Sequence, residues 1–391
     1  MPPLIYRKGL DLKHEVADVL AASYHSELVT SIKNAGYRFV AGRVTVHLAR
    51  EFGFCYGVDR AVDYAYQARK RFPDRPVHLT GEIIHNPHVN NELRAQGIQF
   101  LSDPGASLAS LTANDVVILP AFGITIEQLQ QLEARGCTMV DTTCGSVLNV
   151  WKNVRRYADD GFTSIIHGKY HHEETQATAS QARRHGNGHF LVVLDRSEAL
   201  RVCDYIRHGG DRESFLTGFR HAASPAFDPD IHLAHIGCAN QTTMLSSESL
   251  EIGNLFRDAM RDRYGEPELA TRFRAFDTIC SATQDRQDAI LALLDEQAMD
   301  LMIVIGGYNS SNTQNLTRIC ATRLPTYHVA EPGCLRSAET IAHRPVGSPT
   351  EIEHTGWLPS GPLTIGLTSG ASTPDNIVEQ VIRRLELLAN G

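Results

Sequence analysis

Thr138-Met139-Val140-Asp141-Thr142-Thr143-Cys144-Gly145-Ser146-Val147 sets the architecture of the chain. It reads as a short buried strand that ends in a cysteine. A helix follows at once, because Val147, Val150 and Trp151 recur at i, i+3, i+4. The same device occurs twice more. Val44-Thr45-Val46-His47-Leu48 leads through Phe52-Gly53-Phe54 to Cys55-Tyr56-Gly57-Val58, ahead of the helical positions Val62 and Tyr66. Phe273-Arg274-Ala275-Phe276-Asp277-Thr278-Ile279 leads to Cys280-Ser281-Ala282-Thr283, ahead of Ala289, Leu291 and Leu293. Three cysteines thus sit where a strand hands over to a helix. A helix N-terminus favours an anion and so a thiolate over a thiol. Three such thiolates together would make a metal or iron–sulfur site.

The surrounding pattern alternates short apolar runs with longer helical ones, the signature of an α/β fold with parallel sheets. Further strand candidates are Val77-Leu79, Val116-Leu119, Ser164-Ile166, Phe190-Leu194, His232-Ile236, Leu301-Ile305 and Leu363-Leu367. Residues 1–42 read as a helical lead-in, with Asp11 to Ser23 and Ser26 to Asn34 amphipathic and Gly36 as the stop. Three α/β units follow: 43–143 around Cys55, 144–272 around Cys144, and 273–391 around Cys280. A Gly-, Pro- and charge-rich insertion at about 204–230 lacks a core period and reads as a surface excursion.

Behind each key cysteine the loops recur in a comparable order, which suggests an internal repeat. Cys55 is followed by Glu82-Ile83-Ile84-His85-Asn86-Pro87 and Leu119-Pro120-Ala121-Phe122-Gly123. Cys144 is followed by residues 167–175, which include His172-Glu173-Glu174, and by Gly237-Cys238-Ala239-Asn240-Gln241-Thr242-Thr243. Cys280 is followed by Gly306-Gly307-Tyr308-Asn309-Ser310-Ser311-Asn312 and by Ser369-Gly370-Ala371-Ser372. Ligands of open α/β sheets bind beyond the carboxyl ends of the strands, so these loops are the binding candidates. The plain alternative is that any α/β protein carries strand–loop–helix units. His172-Glu173-Glu174 is no zincin motif, since Gln176 stands where a second histidine would be needed. The loop at 306–312 is no P-loop, lacking Gly-Lys-Ser/Thr, yet its hydroxyls, amides and backbone N–H groups suit a phosphate.

Composition narrows the classes. The 391 residues, 42% hydrophobic and 21% charged, are those of a soluble globular chain of two or three domains. A formal charge of -8 argues against a nucleic-acid binder. No apolar run approaches the roughly 18 residues of a membrane span, and the N-terminus shows neither a signal nor a transit pattern, so the expected location is cytoplasmic. Eight cysteines without a Cys-x-x-Cys pair then favour neither disulfides nor zinc ribbons. Cys137, Cys203, Cys238, Cys320 and Cys334 lack the strand-to-helix placement and read as core or surface residues.

At this point the motifs match a family. The chain resembles the LytB-type 4-hydroxy-3-methylbut-2-enyl diphosphate reductases from about Asp11 to Leu385. The resemblance rests on Gly53-Phe54-Cys55-Tyr56-Gly57-Val58, Glu82-Ile83-Ile84-His85-Asn86, Asp141-Thr142-Thr143-Cys144, Asn309-Ser310-Ser311-Asn312 and Gly370-Ala371-Ser372. The lead-in helices, Ala121-Phe122-Gly123 and His167-Gly168-Lys169-Tyr170 are similar to the plant and cyanobacterial branch. The resemblance implies three α/β units in a pseudo-threefold trefoil around a [4Fe–4S] cluster, with Cys55, Cys144 and Cys280 as ligands and one iron open. It implies reductive removal of an allylic hydroxyl as water, giving isopentenyl and dimethylallyl diphosphate. It places substrate binding at His85, His172, Ser310, Ser311, Asn312 and Ser372, the proton-relay acid at Glu174, and a hydroxyl beside the substrate at Thr242. It further implies ferredoxin or flavodoxin as the electron donor; no flavin or nicotinamide motif appears in the chain.

Two departures stand out. Phe122 occupies the place of a histidine found in most of the family, as in the plant-type branch. Gly145 replaces the proline that usually follows the second cluster cysteine, which leaves the first helical residue less constrained. Ser146, Leu148 and Asn149 also depart from the branch pattern. Two other functions fit the same cysteines, a cluster-dependent dehydratase and a non-catalytic iron–sulfur sensor. The sensor needs neither Glu174 nor a full set of diphosphate donors.

Overall fold

The computed structural model describes residues 4–184, 186, 188–276 and 278–390. The chain divides into two compact units, Met1–Ile5 with Pro104–Cys280, and Tyr6–Asp103 with Ser281–Gly391. Both are α/β and built on parallel strands, as the alternation of apolar and helical runs predicts.

In the Tyr6–Asp103 and Ser281–Gly391 unit, Leu301–Ile305 is an interior strand of a five-stranded sheet and all five of its residues are buried. It pairs in parallel with Thr326–Val329 on one side and Leu363–Ser369 on the other. Leu363–Ser369 pairs in parallel with Val44–Leu48, which carries Arg38–Ala41 as an antiparallel edge. Side chains alternate across the strand: Leu301, Ile303 and Ile305 pack with Val29, Ile32, Val378 and Ile382, whereas Met302 and Val304 pack with Ile290, Leu316 and Cys320. A strand buried on both faces must be apolar throughout, which is why no period-2 pattern marks it. Val44–Leu48, read from sequence as the start of the 43–143 unit, is therefore a strand of the sheet formed by C-terminal residues. Thr326–Val329 and the antiparallel pair Thr340–His343 with Ile352–Thr355 were not predicted from sequence.

The other unit contains a four-stranded parallel sheet in the order Phe273–Ala275, Ile236–Asn240, Thr163–His167, Phe190–Val193. Helix Gly145–Asp159 covers one face through Val150, Val154 and Tyr157. Helices Arg196–His208 and Ser246–Tyr264 cover the other. Val116–Leu119 and Thr138–Asp141 are parallel neighbours in a further sheet.

The 204–230 insertion is not a mere surface excursion, because helix Arg212–Phe219 and the following turn deliver Phe215, Phe219 and Phe227 to the core. Of residues 232–236 only Ile236 belongs to a strand. Asp228 caps the short helix Pro229–His232, with proline at its first turn, and the strand is Ile236–Asn240. Of the run expected to lead to Cys280, only Phe273–Ala275 is a strand, and Asp277 lies outside the described residues.

Candidate active site

The three cysteines singled out by sequence share one environment, and the other five share another. Cys55 and Cys144 are the N-cap residues of helices Tyr56–Arg71 and Gly145–Asp159, extended in backbone, with thiols that do not cap the helix. Cys280 immediately precedes helix Ser281–Glu296. All three are half-buried, while Cys137, Cys203, Cys238, Cys320 and Cys334 are buried. Burial pushes the Cys203 and Cys320 thiols up to about 12 and that of Cys238 higher still, so these three resist becoming thiolate ligands.

Each corner is fixed by its own backbone. Cys144 N–H donates to Ala121 O at 2.8 Å, Thr142 Oγ1 to Leu119 O at 2.6 Å, and Thr143 N–H to Asp141 Oδ1 at 3.0 Å. These bonds hold the corner even though Gly145 has replaced the expected proline. Cys55 N–H donates to Ala371 O at 3.1 Å. The turn before Cys55 requires glycine: Gly53 has φ +82°, and a Cβ there would lie 2.5 Å from Asp375 Oδ1. Gly53 N–H donates to Ser369 Oγ at 2.9 Å, and its carbonyl accepts from buried Arg286 Nη2 at 2.8 Å. Arg286 was missed by sequence reasoning. It looks like an ordinary charge on a helix, and only the tertiary structure brings it to Gly53.

In the Tyr6–Asp103 and Ser281–Gly391 unit, three predicted loops converge. Ser310 Oγ caps helix Ser311–Ala321 by accepting Thr313 N–H at 3.3 Å. Ser310, Ser311, Asn312 and Ser372 are all buried. Gly307 lies so close to the His85 loop that a Cβ would meet His85 O at 2.4 Å, and Ser372 Oγ donates to the same carbonyl at 3.3 Å. His85 is oriented by Glu82, which accepts from Nδ1 at 2.8 Å. Asn312 Oδ1 accepts Ala371 N–H at 3.0 Å, which fixes the amide with Nδ2 pointing the other way. Among the described residues Nδ2 has no hydrogen-bond partner although it is buried. A buried amide donor is costly to leave unpaired, and an anionic ligand would satisfy it.

In the Met1–Ile5 and Pro104–Cys280 unit, His172 caps helix Glu173–Ala182: its Nδ1 accepts Glu174 N–H at 3.1 Å. That bond requires an unprotonated Nδ1, which puts the ring hydrogen of the neutral tautomer on Nε2, a donor suited to phosphate oxygen. Phe122, half-buried, meets the His172 ring edge-on with centroids 5.8 Å apart. The phenylalanine departure is thus a packed wall against a binding candidate. Glu174 is 2% exposed, and its Oε1 accepts Thr242 N–H at 2.6 Å. Thr242 O in turn accepts Cys280 N–H at 3.3 Å, so one peptide segment links the buried acid to a cysteine corner. Gln241 organises the neighbouring loop. Its Oε1 accepts Lys169 N–H at 3.1 Å and Thr175 Oγ1–H at 3.2 Å, and its Nε2 donates to Thr243 Oγ1 at 2.8 Å. Sequence reasoning quoted Gln241 but assigned it no role.

The loops of the two units thus carry half-buried cysteines at helix N-termini, buried hydroxyl and amide side chains, and a buried carboxyl group. The model of the LytB protein family matches residues 46–386. The chain is 50% identical to the 4-hydroxy-3-methylbut-2-enyl diphosphate reductase of Synechococcus sp. (strain CC9311), over 98% of this chain and 96% of that protein. It is 50% identical to the enzyme of the same name from Gloeobacter violaceus, over 97% of this chain and 91% of that protein. A solved structure of (E)-4-hydroxy-3-methyl-but-2-enyl diphosphate reductase, the terminal enzyme of the non-mevalonate pathway, superposes with a TM-score of 0.52 at 27% identity, over 88% of this chain and 99% of that one. A second, from Plasmodium falciparum, gives a TM-score of 0.61 over 86% of each chain at 21% identity, a likeness of fold. With corners, loops and family model all in agreement, the chain belongs to the LytB family.

Proposed function

We propose that the chain is a 4-hydroxy-3-methylbut-2-enyl diphosphate reductase. It takes an allylic alcohol, two electrons and two protons, breaks the carbon–oxygen bond, and releases water with isopentenyl and dimethylallyl diphosphate. The observation that carries the reading is Asn312, whose oriented, buried and unpartnered Nδ2 answers an anionic ligand among the loops of a LytB chain. The family carries an iron–sulfur cluster. The finer assignment is a [4Fe–4S] cluster on Cys55, Cys144 and Cys280, supported by their shared helix N-terminal setting and half-burial. When bound, the cluster would supply electrons and a Lewis-acid iron for the hydroxyl.

The chain's own residues do the rest. His85, His172, Ser310, Ser311, Asn312 and Ser372 bind and orient the diphosphate through neutral hydrogen bonds. Glu174 holds a proton for the departing hydroxyl, while Thr242 anchors its other oxygen through the backbone and offers a hydroxyl to the substrate. Phe122 limits water at His172. Electrons come from a ferredoxin- or flavodoxin-type carrier in the cytoplasm. Among the described residues no helix is long and apolar enough to cross a membrane.

The test is anaerobic turnover of the hydroxymethylbutenyl diphosphate with a reduced dye, monitoring both products. Dye oxidation matched to product is expected. Water loss without dye oxidation would identify the dehydratase, and cluster absorption without turnover the sensor.

A further inference from the structure

A loop that binds an anion through backbone N–H groups must turn its carbonyl oxygens away from it. In residues 306–310, three successive carbonyls each have a donor. Gly306 O accepts from His328 Nε2 at 2.9 Å, and Gly307 O accepts from Ser310 N–H at 3.0 Å. Tyr308 O accepts from Arg344 Nη1 at 2.9 Å and also from Gln314 Nε2. His328 is buried, which lowers its pKa to about 4, so the ring is a neutral donor here.

Tyr308 is held a second way from the same direction. Its Oη donates to Glu351 Oε2 at 2.5 Å, and the Arg344 guanidinium lies 5.9 Å from its ring centroid. Arg344 Nε is itself tied to Ser348 O at 2.7 Å. Arg344 and Glu351 begin and end the connection between the antiparallel strands Thr340–His343 and Ile352–Thr355, which no site motif includes.

We infer that this hairpin clamps the diphosphate-binding loop, with Arg344 and Glu351 as positioning residues that grip Tyr308 by its carbonyl and its hydroxyl. The inference rests on the functional reading above. Arg344 brings its charge to the anion at one remove. A cation bonded to Tyr308 O polarises that peptide and strengthens its N–H, on Asn309, as a donor. The clamp acts on affinity for the diphosphate and not on the proton or the electrons.

Three variants test this: Arg344→Met removes the carbonyl contact, Tyr308→Phe deletes one hydroxyl oxygen, and Glu351→Gln keeps an acceptor. Measured quantities are KM and kcat with the dye, the inhibition constant of inorganic pyrophosphate, and the visible absorption of the holoenzyme. Loss of one charge-assisted bond behind the loop should raise KM and the pyrophosphate constant of Arg344→Met about tenfold, with kcat within about threefold and absorption unchanged. Tyr308→Phe should move the same two constants by a smaller factor, and Glu351→Gln, which keeps the acceptor, should leave them close to wild type. Should Arg344→Met fail to fold, Tyr308→Phe, which loses a single oxygen, carries the test. Unchanged pyrophosphate inhibition in folded Tyr308→Phe and Arg344→Met, or a fall confined to kcat, overturns the clamp while wild-type turnover upholds the function. A wild-type protein that neither turns over nor binds pyrophosphate overturns both.

Discussion

Glu174→Gln distinguishes a proton donor from a carboxylate that only builds the corner. Glu174 is 2% exposed and accepts Thr242 N–H at 2.6 Å. Glutamine keeps the length and an oxygen acceptor, so the bond persists in neutral form. Bonds to charged groups contribute about 1.5–3 kcal/mol and neutral ones about 0.5–1.5 kcal/mol, which puts the stability loss at about 1 kcal/mol and below about 2.5 kcal/mol. Removing a positioned acid costs about 10²–10⁴ in rate, or about 3–5 kcal/mol of barrier. The catalytic effect therefore exceeds the structural one, and a domain stable by about 5–15 kcal/mol stays folded through it. Glu174→Ala is the structural control. It strips the buried Thr242 N–H of its acceptor and should destabilise by about 1–3 kcal/mol more than glutamine does. The assay is anaerobic dye-coupled turnover, with thermal unfolding and visible absorption on the same preparations. Glutamine should keep absorption and pyrophosphate inhibition and lose at least about two orders of magnitude in kcat. Turnover near wild type in Glu174→Gln would refute the reasoning and move the search to Glu173 or His172.

Four further outcomes are expected. Cys55→Ser, Cys144→Ser and Cys280→Ser should each lose visible absorption and most bound iron, while Cys203→Ser and Cys334→Ser keep both; an equally necessary fourth cysteine would contradict the ligand assignment. Ser310→Ala with Asn312→Ala should raise KM at least about tenfold with the spectrum intact, because two hydrogen bonds to a charged acceptor are lost. Gly145→Pro should stabilise by about 0.4–1 kcal/mol, seen as a higher thermal midpoint, since a Cβ there meets nothing within 4 Å and the position is the first of its helix. His328 has its pKa lowered from 6.5 to about 4 by burial, so the unfolded chain takes up the proton first as pH falls. Its contribution is whole above pH 6.5 and fades towards pH 4; urea unfolding should show about 2–3 kcal/mol lost near pH 4.5, and His328→Gln should remove that part of the slope.

What could be read from sequence, and what could not, follows the range of the interactions. The cysteine corners were legible because strand, turn and helical period are local, and Cys144 with Val147, Val150 and Trp151 carries all three within a few residues. The partner of Val44–Leu48 was not. Its alternation states that one face is buried but not that Leu363–Ser369 lies beside it. Phe215 and Phe219 sit four apart on a helix of only eight residues, too short for its period to stand out among glycines and charges. Arg286 donates to a carbonyl 233 residues away, and no local pattern announces that. The same holds for Arg344 and Glu351, polar residues flanking a hairpin whose second strand, Ile352–Thr355, is exposed throughout.

The division of labour between loops follows from what the reaction changes. The diphosphate enters and leaves unaltered, so contacts made only to it bind substrate, transition state and product alike. Such uniform binding lowers KM without raising kcat. A lysine or arginine placed directly on it would also hold the product and slow its release. The motifs proposed to bind the phosphates accordingly offer hydroxyls, amides and imidazoles, and two arginines are spent on carbonyls: Arg286 on Gly53 and Arg344 on Tyr308. Only at the departing oxygen does charge change, and the acid proposed to act there is Glu174, buried and tied to the backbone that also fixes Cys280. Changes at Ser310, Asn312, Tyr308 and Arg344 should thus appear in KM and in pyrophosphate inhibition. Changes at Glu174 should appear in kcat, and a double variant of Arg344 and Glu174 should show the two effects as nearly independent factors. Strong coupling between them would mean that the hairpin governs the position of the acid as well as that of the anion.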